Sequence, residues 1–215
     1  MNWKLPNQLT VARIGLAVAF FVLLGLYDHT APNAALLLNA ALVVYLVAGV
    51  TDVLDGWIAR RYNWTSAFGR IADPFVDKVL VLGAFIMLAG SNFDARGTGL
   101  PDADLPFWIN GQMLSAVQSW MVVVILCREL LVSAVRGYSE SQGIKFPATP
   151  AGKIKMLLQS TAICAVLLQL ANFADTDGAI IAKIVLVWVA TAGTVLSGLA
   201  YVGKIRHVFR NDEAS

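Results

Sequence analysis

Charge is scarce in this sequence. Only 14% of its 215 residues are Asp, Glu, Lys or Arg, and the mean hydropathy is +0.68. A soluble globular domain carries about 25% charged residues, so that class is set aside. Cysteine is almost missing. Cys127 and Cys164 both lie in apolar runs, which leaves no disulfide framework and no zinc spacing, and both are expected to be small core residues. Histidine occurs only as His29, in a loop, and His207, in the tail; neither is assigned a role. Low-complexity tracts and short repeats are lacking too. The polar start MNWKLPNQ has no small-residue cleavage site after a short apolar core, so no cleavable signal peptide is expected. The formal net charge of +2 is uninformative in total, whereas its distribution along the chain is not; no nucleic-acid partner is expected.

Long apolar runs take the place of charge. Met1 to Gln8 is expected to be a short interfacial segment, with Trp3 and Lys4 at headgroup level and Pro6 before a turn. Six spans follow, each near the ~20 residues a membrane helix needs: about Leu9 to Tyr27, Ala34 to Val53, Pro74 to Ala89, Leu114 to Val135, Met156 to Phe173 and Ile180 to Val202. The second is expected to run on past the membrane edge to Arg61. Gly90 to Gly111, punctuated by Gly, Pro and Asp, reads as an extramembrane loop. The expected fold is an all-α integral membrane domain with six transmembrane helices. Even parity puts both termini on one side. Lys4, Arg60, Arg61, Arg70, Lys145, Lys153, Lys155, Lys204, Arg206 and Arg210 fall on that side, so the positive-inside rule makes it cytoplasmic. Small residues such as Gly83, Ala84, Ala190, Gly193 and Gly198 permit close helix packing, and packing alone explains them. Trp57, Trp64, Trp108 and Trp120 suit an aromatic belt.

The chain is organised around TDVLDGWIARRYNWTSAFGRIADPFVDK, Thr51 to Lys78. At about 100° per residue, Asp52, Asp55, Gly56 and Ala59 share one helix face. Gly69, Asp73 and Asp77, spaced by four, share a face of the next helix. Two antiparallel helices would then turn four acids into one space. Like charges in poor solvent repel strongly, and protonation or bound cations would relieve this. Oxygen-only ligands suit Mg²⁺ or Mn²⁺ rather than zinc, and a two-ion cage suits phosphoryl chemistry. The plainer reading is a set of salt bridges to Arg60, Arg61, Arg70 and Lys78. It suits any single pair, but not four acids aligned beside Gly56 and Gly69. Arg13, about one turn inside the first span, either snorkels or faces an internal site.

The pattern Asp52-x2-Asp55-Gly56-x2-Ala59-Arg60-x8-Gly69-x3-Asp73-x3-Asp77 resembles the signature of the CDP-alcohol phosphatidyltransferases, eight positions over 26 residues. Shorter stretches are similar to phosphatidylglycerophosphate synthases: Leu5-Pro6-Asn7-x-Leu9-Thr10-x2-Arg13, Gly69-x3-Asp73-Pro74-x2-Asp77-Lys78, Arg128-Glu129-x3-Ser133-x2-Arg136 and Gly152-Lys153-x-Lys155. The loop 90–111 is longer than that subfamily leads one to expect. The resemblance implies one domain over 1–215, with its motif at 52–77. It also implies a reaction in which an alcohol displaces CMP from a CDP-linked lipid with the help of two divalent ions. Asp52, Asp55, Asp73 and Asp77 match the metal-binding acids, and Asp77 the general base. Asp55, Gly56, Ala59 and Gly69 match the nucleotide pocket, and Arg60 the arginine near the diphosphate. Arg128, Arg136, Lys153 and Lys155 are expected either to attract anionic lipid headgroups or to hold the acceptor's phosphate, with Glu129 orienting one of them. The substrates implied are CDP-diacylglycerol and glycerol 3-phosphate, giving phosphatidylglycerophosphate. A homodimer in a bacterial inner membrane, its site facing the cytoplasm, is expected. Two rivals stay open: another acceptor, inositol phosphate or serine, and an ion transporter, whose acids would lie toward the midplane.

Overall fold

The computed structural model describes residues 5–62, 67–94, 113–141 and 150–212. Among them are six α-helices: α1 Leu5–Gly25, α2 Ala34–Tyr62, α3 Ala67–Leu88, α4 Ser119–Ser141, α5 Pro150–Asn172 and α6 Asp177–Asp212. A 3-10 turn, Ser91–Phe93, follows α3, and an isolated antiparallel bridge joins Asp94 to Met113. No strand occurs among the described residues.

The helices close into a ring. α1 packs on α2 and α3, α2 on α5, α5 on α6, α6 on α4 and α4 on α3, while α3 and α5 touch across the middle. Phe20 and Leu24 of α1, Leu38 and Ala41 of α2, Ala84 and Phe85 of α3, Ile125 of α4, Ile163 of α5 and Val187 of α6 are all buried inside it. Outward faces are apolar as well: Leu36 and Val53 of α2, Leu157 of α5 and Leu196 of α6 are each about two-thirds exposed or more. Helices apolar all round belong in lipid. Ala34–Leu54, Pro150–Asn172 and Asp177–Tyr201 are long and apolar enough to cross a membrane, the mark of an integral membrane protein. The six expected spans thus meet that criterion in three cases. α1 and α3 have shorter apolar stretches, Thr10–Gly25 and Lys78–Leu88, and α4 carries Arg128, Glu129 and Arg136.

Polar pairs between helices, from the buried Gln159–Thr194 to the exposed Asn39–Asn172, fix the register of the ring. Tyr45 of α2 donates to Ser160 of α5 at 3.1 Å, Gln159 of α5 donates to Thr194 of α6 at 3.0 Å, and Asn39 and Asn172 exchange bonds at 3.2 and 2.9 Å. Gly83 lets α1 come close to α3: a Cβ there would lie 2.3 Å from the Phe21 ring.

Several boundaries differ from expectation. Pro6 lies in the first turn of α1, where its missing N–H costs nothing; the helix starts ahead of the expected span. α3 begins at Ala67 and runs through Pro74, so Gly69, Asp73 and Asp77 share one continuous helix. α4 starts at Ser119 rather than Leu114. There the Ser115 hydroxyl donates to the Leu88 carbonyl at 2.6 Å, Ala116 sits at φ 60°, and Lys183 donates to the Leu114 carbonyl at 2.6 Å. The loop expected over 90–111 is partly core. Phe93 is fully buried and stacks on Tyr27 with centroids 4.7 Å apart, while 95–112 lies outside the described residues. Cys127 is exposed on α4, against expectation, and Cys164 is half-buried. In the turn after α1, Thr30 gives Asp28 a backbone bond of 2.9 Å and a hydroxyl bond of 2.8 Å, which hold that exposed carboxyl below its usual range.

Candidate active site

The acidic motif occupies the C-terminal end of α2 and the N-terminal part of α3, joined by the short connection 63–66. Because α2 is helical without a break to Tyr62, Asp52 and Asp55 lie on one face at i and i+3. Asp73 and Asp77 do the same at i and i+4 on α3. The side chains of Asp55, Gly56, Ala59, Arg60, Gly69, Asp73 and Asp77 are outside those described. Asp52 is described. Its carboxylate pairs with Arg13 at 2.6 Å, the arginine 1% exposed and the aspartate 37%. Arg13 therefore faces inward, and its charge is matched where a lone cation would be costly.

Arg13 and Asp52 line the larger of two cavities formed by described residues at this end of the ring, about 430 Å³. Its other walls are mainly apolar: Tyr45, Ala48, Val50, Val53 and Leu54 of α2, Leu80 and Val81 of α3, Met156, Ser160 and Cys164 of α5. A largely aliphatic space with the Asp52 carboxylate at its wall suits an amphiphile whose polar group approaches Asp52.

The second cavity, about 160 Å³, lies on the other side of the α3–α5 contact and is basic. Lys78 of α3, Arg128 and Arg136 of α4, and Lys153 and Lys155 of α5 line it together with Ser133, Met156 and Tyr201. Glu129 is the carboxylate among its lining residues. Its Oε1 accepts from Arg128 at 3.0 Å and from the Lys155 ammonium, and all three side chains are at least nine-tenths buried. Burying two cations without such a partner would cost several kcal/mol. Arg128 Nε is buried and has no hydrogen-bond partner among the described residues. Behind it α6 supplies Gly198, where a Cβ would stand 3.2 Å from Arg128 Cγ. The glycine therefore makes room for the arginine stem as well as for helix packing.

The four expected acceptor-side cations are thus brought together, and Met156 lines both cavities. Lys78 is the member that sequence reasoning missed. As an ionisable residue at the start of an apolar segment it was a signal, but it was weighed only as a counter-ion to the acids. Its ammonium donates to Ser133 of α4, and the side chains of Asp55, Asp73 and Asp77 lie outside those described. Asp52 pairs with Arg13, which is not among the basic residues expected as partners of the acids. Trp120 packs on Trp188, centroids 5.6 Å apart, while Trp57 is exposed; Trp64 and Trp108 lie outside the described residues.

Comparison with known proteins gives the same grouping. A family model described as CDP-alcohol phosphatidyltransferase matches residues 3–196. A curated relative from Bacillus subtilis (strain 168), named CDP-diacylglycerol–glycerol-3-phosphate 3-phosphatidyltransferase, is 32% identical over 216 residues, covering 94% of this chain and 95% of its own. Relatives of the same name from Rickettsia bellii and Rickettsia felis are 30% and 29% identical, each match covering 96% of this chain and 97% of theirs. A signature on two consecutive helices and a match along almost the whole chain lead to one conclusion: this protein belongs to the CDP-alcohol phosphatidyltransferase family.

Proposed function

We propose that this chain moves the phosphatidyl group of CDP-diacylglycerol to glycerol 3-phosphate, forming phosphatidylglycerophosphate and releasing CMP. The observation that carries the reading is the pair of cavities flanking α3 and α5, one apolar with Asp52 at its wall and one basic, with Met156 common to both. A phosphorylated acceptor matches the basic cavity; serine, which has no phosphate, does not. The names of the relatives then favour glycerol 3-phosphate over inositol phosphate.

The whole chain, 1–215, is read as one domain with its motif at 52–77. All six helices cross the bilayer, with both termini and the site at the cytoplasmic face of a bacterial inner membrane. Burial of Arg13 and Glu129 within the ring is what allows α1 and α4 to span despite their charges. The small-residue faces permit a homodimer.

Asp52, Asp55, Asp73 and Asp77 offer only oxygen donors from two consecutive helices, and Asp52 keeps 37% of its side chain exposed beside Arg13. That set fits two Mg²⁺ or Mn²⁺ ions. Bound there, such ions supply positive charge that offsets the diphosphate and the leaving phosphate. The chain's own groups do the rest. Gly56, Ala59 and Gly69 let the nucleotide approach the backbone, and Arg60 binds the diphosphate with its planar fork. Arg128, Arg136, Lys153 and Lys155 hold the acceptor's phosphate, which leaves its hydroxyl toward α3. Asp77 takes the hydroxyl proton as oxygen bonds to the lipid-proximal phosphorus, and the bond from that phosphorus to the CMP oxygen breaks.

Asp73→Asn tests the reading. CMP release is expected to fall by about a hundredfold or more while the purified protein keeps its elution and helical circular dichroism. Wild-type turnover in that variant would remove the acidic cage from the mechanism.

A further inference from the structure

We propose that Lys78 is a fifth cation of the acceptor-phosphate site and ties that phosphate to α3, the helix carrying Asp73 and Asp77. The inference rests on the acceptor reading above and adds a residue to it.

Lys78 directly follows Asp77 on α3, yet it lines the basic cavity with the cations of α4 and α5. Its ammonium donates to the Ser133 hydroxyl, and that hydroxyl donates in turn to the Glu129 carbonyl at 2.6 Å. Both partners are neutral, so this chain aims the ammonium without cancelling its charge. Glu129 is already engaged through Oε1 by Arg128 and Lys155. Among the described residues, five cations line this small cavity with Glu129 as their shared carboxylate, a balance suited to a phosphomonoester dianion. Arg128 Nε, buried and without a partner among the described residues, adds a donor in want of an acceptor.

Position gives Lys78 a task that the other four cannot perform. They reach the cavity from α4 and α5, whereas Lys78 reaches it from the helix bearing two of the motif acids. A phosphate bridged between α3 and the α4–α5 pair fixes the acceptor relative to Asp73 and Asp77, and a fixed approach is what a displacement at phosphorus requires. Lys78 is thus a positioning residue for the acceptor. The plain alternative is a structural tie between α3 and α4 through Ser133.

The test uses purified full-length protein in detergent, with glycerol 3-phosphate as acceptor and inorganic phosphate as inhibitor. Lys78→Met is expected to raise the KM for glycerol 3-phosphate and the inhibition constant of phosphate about tenfold, one lost charge-assisted contact. The KM for CDP-diacylglycerol should stay within about twofold of wild type, because only one substrate loses a contact. Lys78→Arg should recover most of the loss, and Ser133→Ala should show a smaller rise of the same kind. Equal rises in both KM values would overturn the proposal. So would unchanged acceptor KM and phosphate inhibition alongside equal drops in thermal midpoint for Lys78→Met and Ser133→Ala, the pattern of a mere tie. If Lys78→Met yields no folded protein, phosphate inhibition of Ser133→Ala decides: weaker supports the proposal and unchanged overturns it. A wild-type enzyme that ignores glycerol 3-phosphate refutes the acceptor assignment alone. Thermal stabilisation by inorganic phosphate, present in wild type and lost in Lys78→Met, still reads out Lys78 in that event.

Discussion

Glu129 holds the basic cavity together. One carboxylate oxygen serves Arg128 and Lys155, and its backbone carbonyl takes the Ser133 hydroxyl that orients Lys78. Glu129→Gln would leave two buried cations side by side, a fault of about 3–5 kcal/mol for a buried pair. An anion in the cavity should offset part of that loss, since ligands stabilise the folded state they bind. The variant is therefore expected to melt several degrees lower than wild type, and inorganic phosphate should raise its midpoint more than that of wild type. Equal phosphate shifts in thermal denaturation would detach Glu129 from the anion site. At this scale the sequence was partly legible. Arg128, Arg136, Lys153 and Lys155 stood out because charges at the edges of apolar runs are costly. Lys78 and the Arg13–Asp52 pair were hidden, since each depends on which helices become neighbours rather than on spacing along one helix.

Between helices, small residues decide how near two backbones come. Gly83 is the tightest such point among the described glycines, with the Phe21 ring where a Cβ would stand, whereas Gly15 has open space around it. Gly83→Val should lower the thermal midpoint by several degrees, the effect of about 1–3 kcal/mol of overpacking. Gly15→Ala should leave it unchanged or raise it slightly, as Ala is about 1 kcal/mol the better helix former. Equal behaviour of the two variants would mean that α1 and α3 do not meet at Gly83. Helix identity was readable from the apolar runs, and α2 was placed to within a residue or so of both ends. Helix starts were less readable. α4 starts only after the left-handed backbone at Ala116, next to a Ser115 hydroxyl bonded to Leu88, a partner distant in sequence. Phe93 shows the same limit: its surroundings read as loop, yet it fills the core beneath Tyr27.

Across the whole molecule, the ring and its central α3–α5 contact separate two spaces of opposite character at one end of the bundle. The apolar cavity suits a lipid-linked donor, and the basic cavity suits a phosphorylated acceptor. The acid-bearing helix α3 lines both. The signature on α2 and α3 was legible because its acids repeat at helical spacing; the division into two cavities was not, because it arises from the order of helices around the ring. The central claim is the transfer itself. The most direct measurement is CMP release by the purified protein supplied with CDP-diacylglycerol, Mg²⁺ and, in separate reactions, glycerol 3-phosphate, inositol phosphate and serine. Release with glycerol 3-phosphate, accompanied by phosphatidylglycerophosphate, is the predicted result. Release with serine or inositol phosphate and none with glycerol 3-phosphate would contradict the acceptor assignment, and no release with any of the three would contradict the account as a whole.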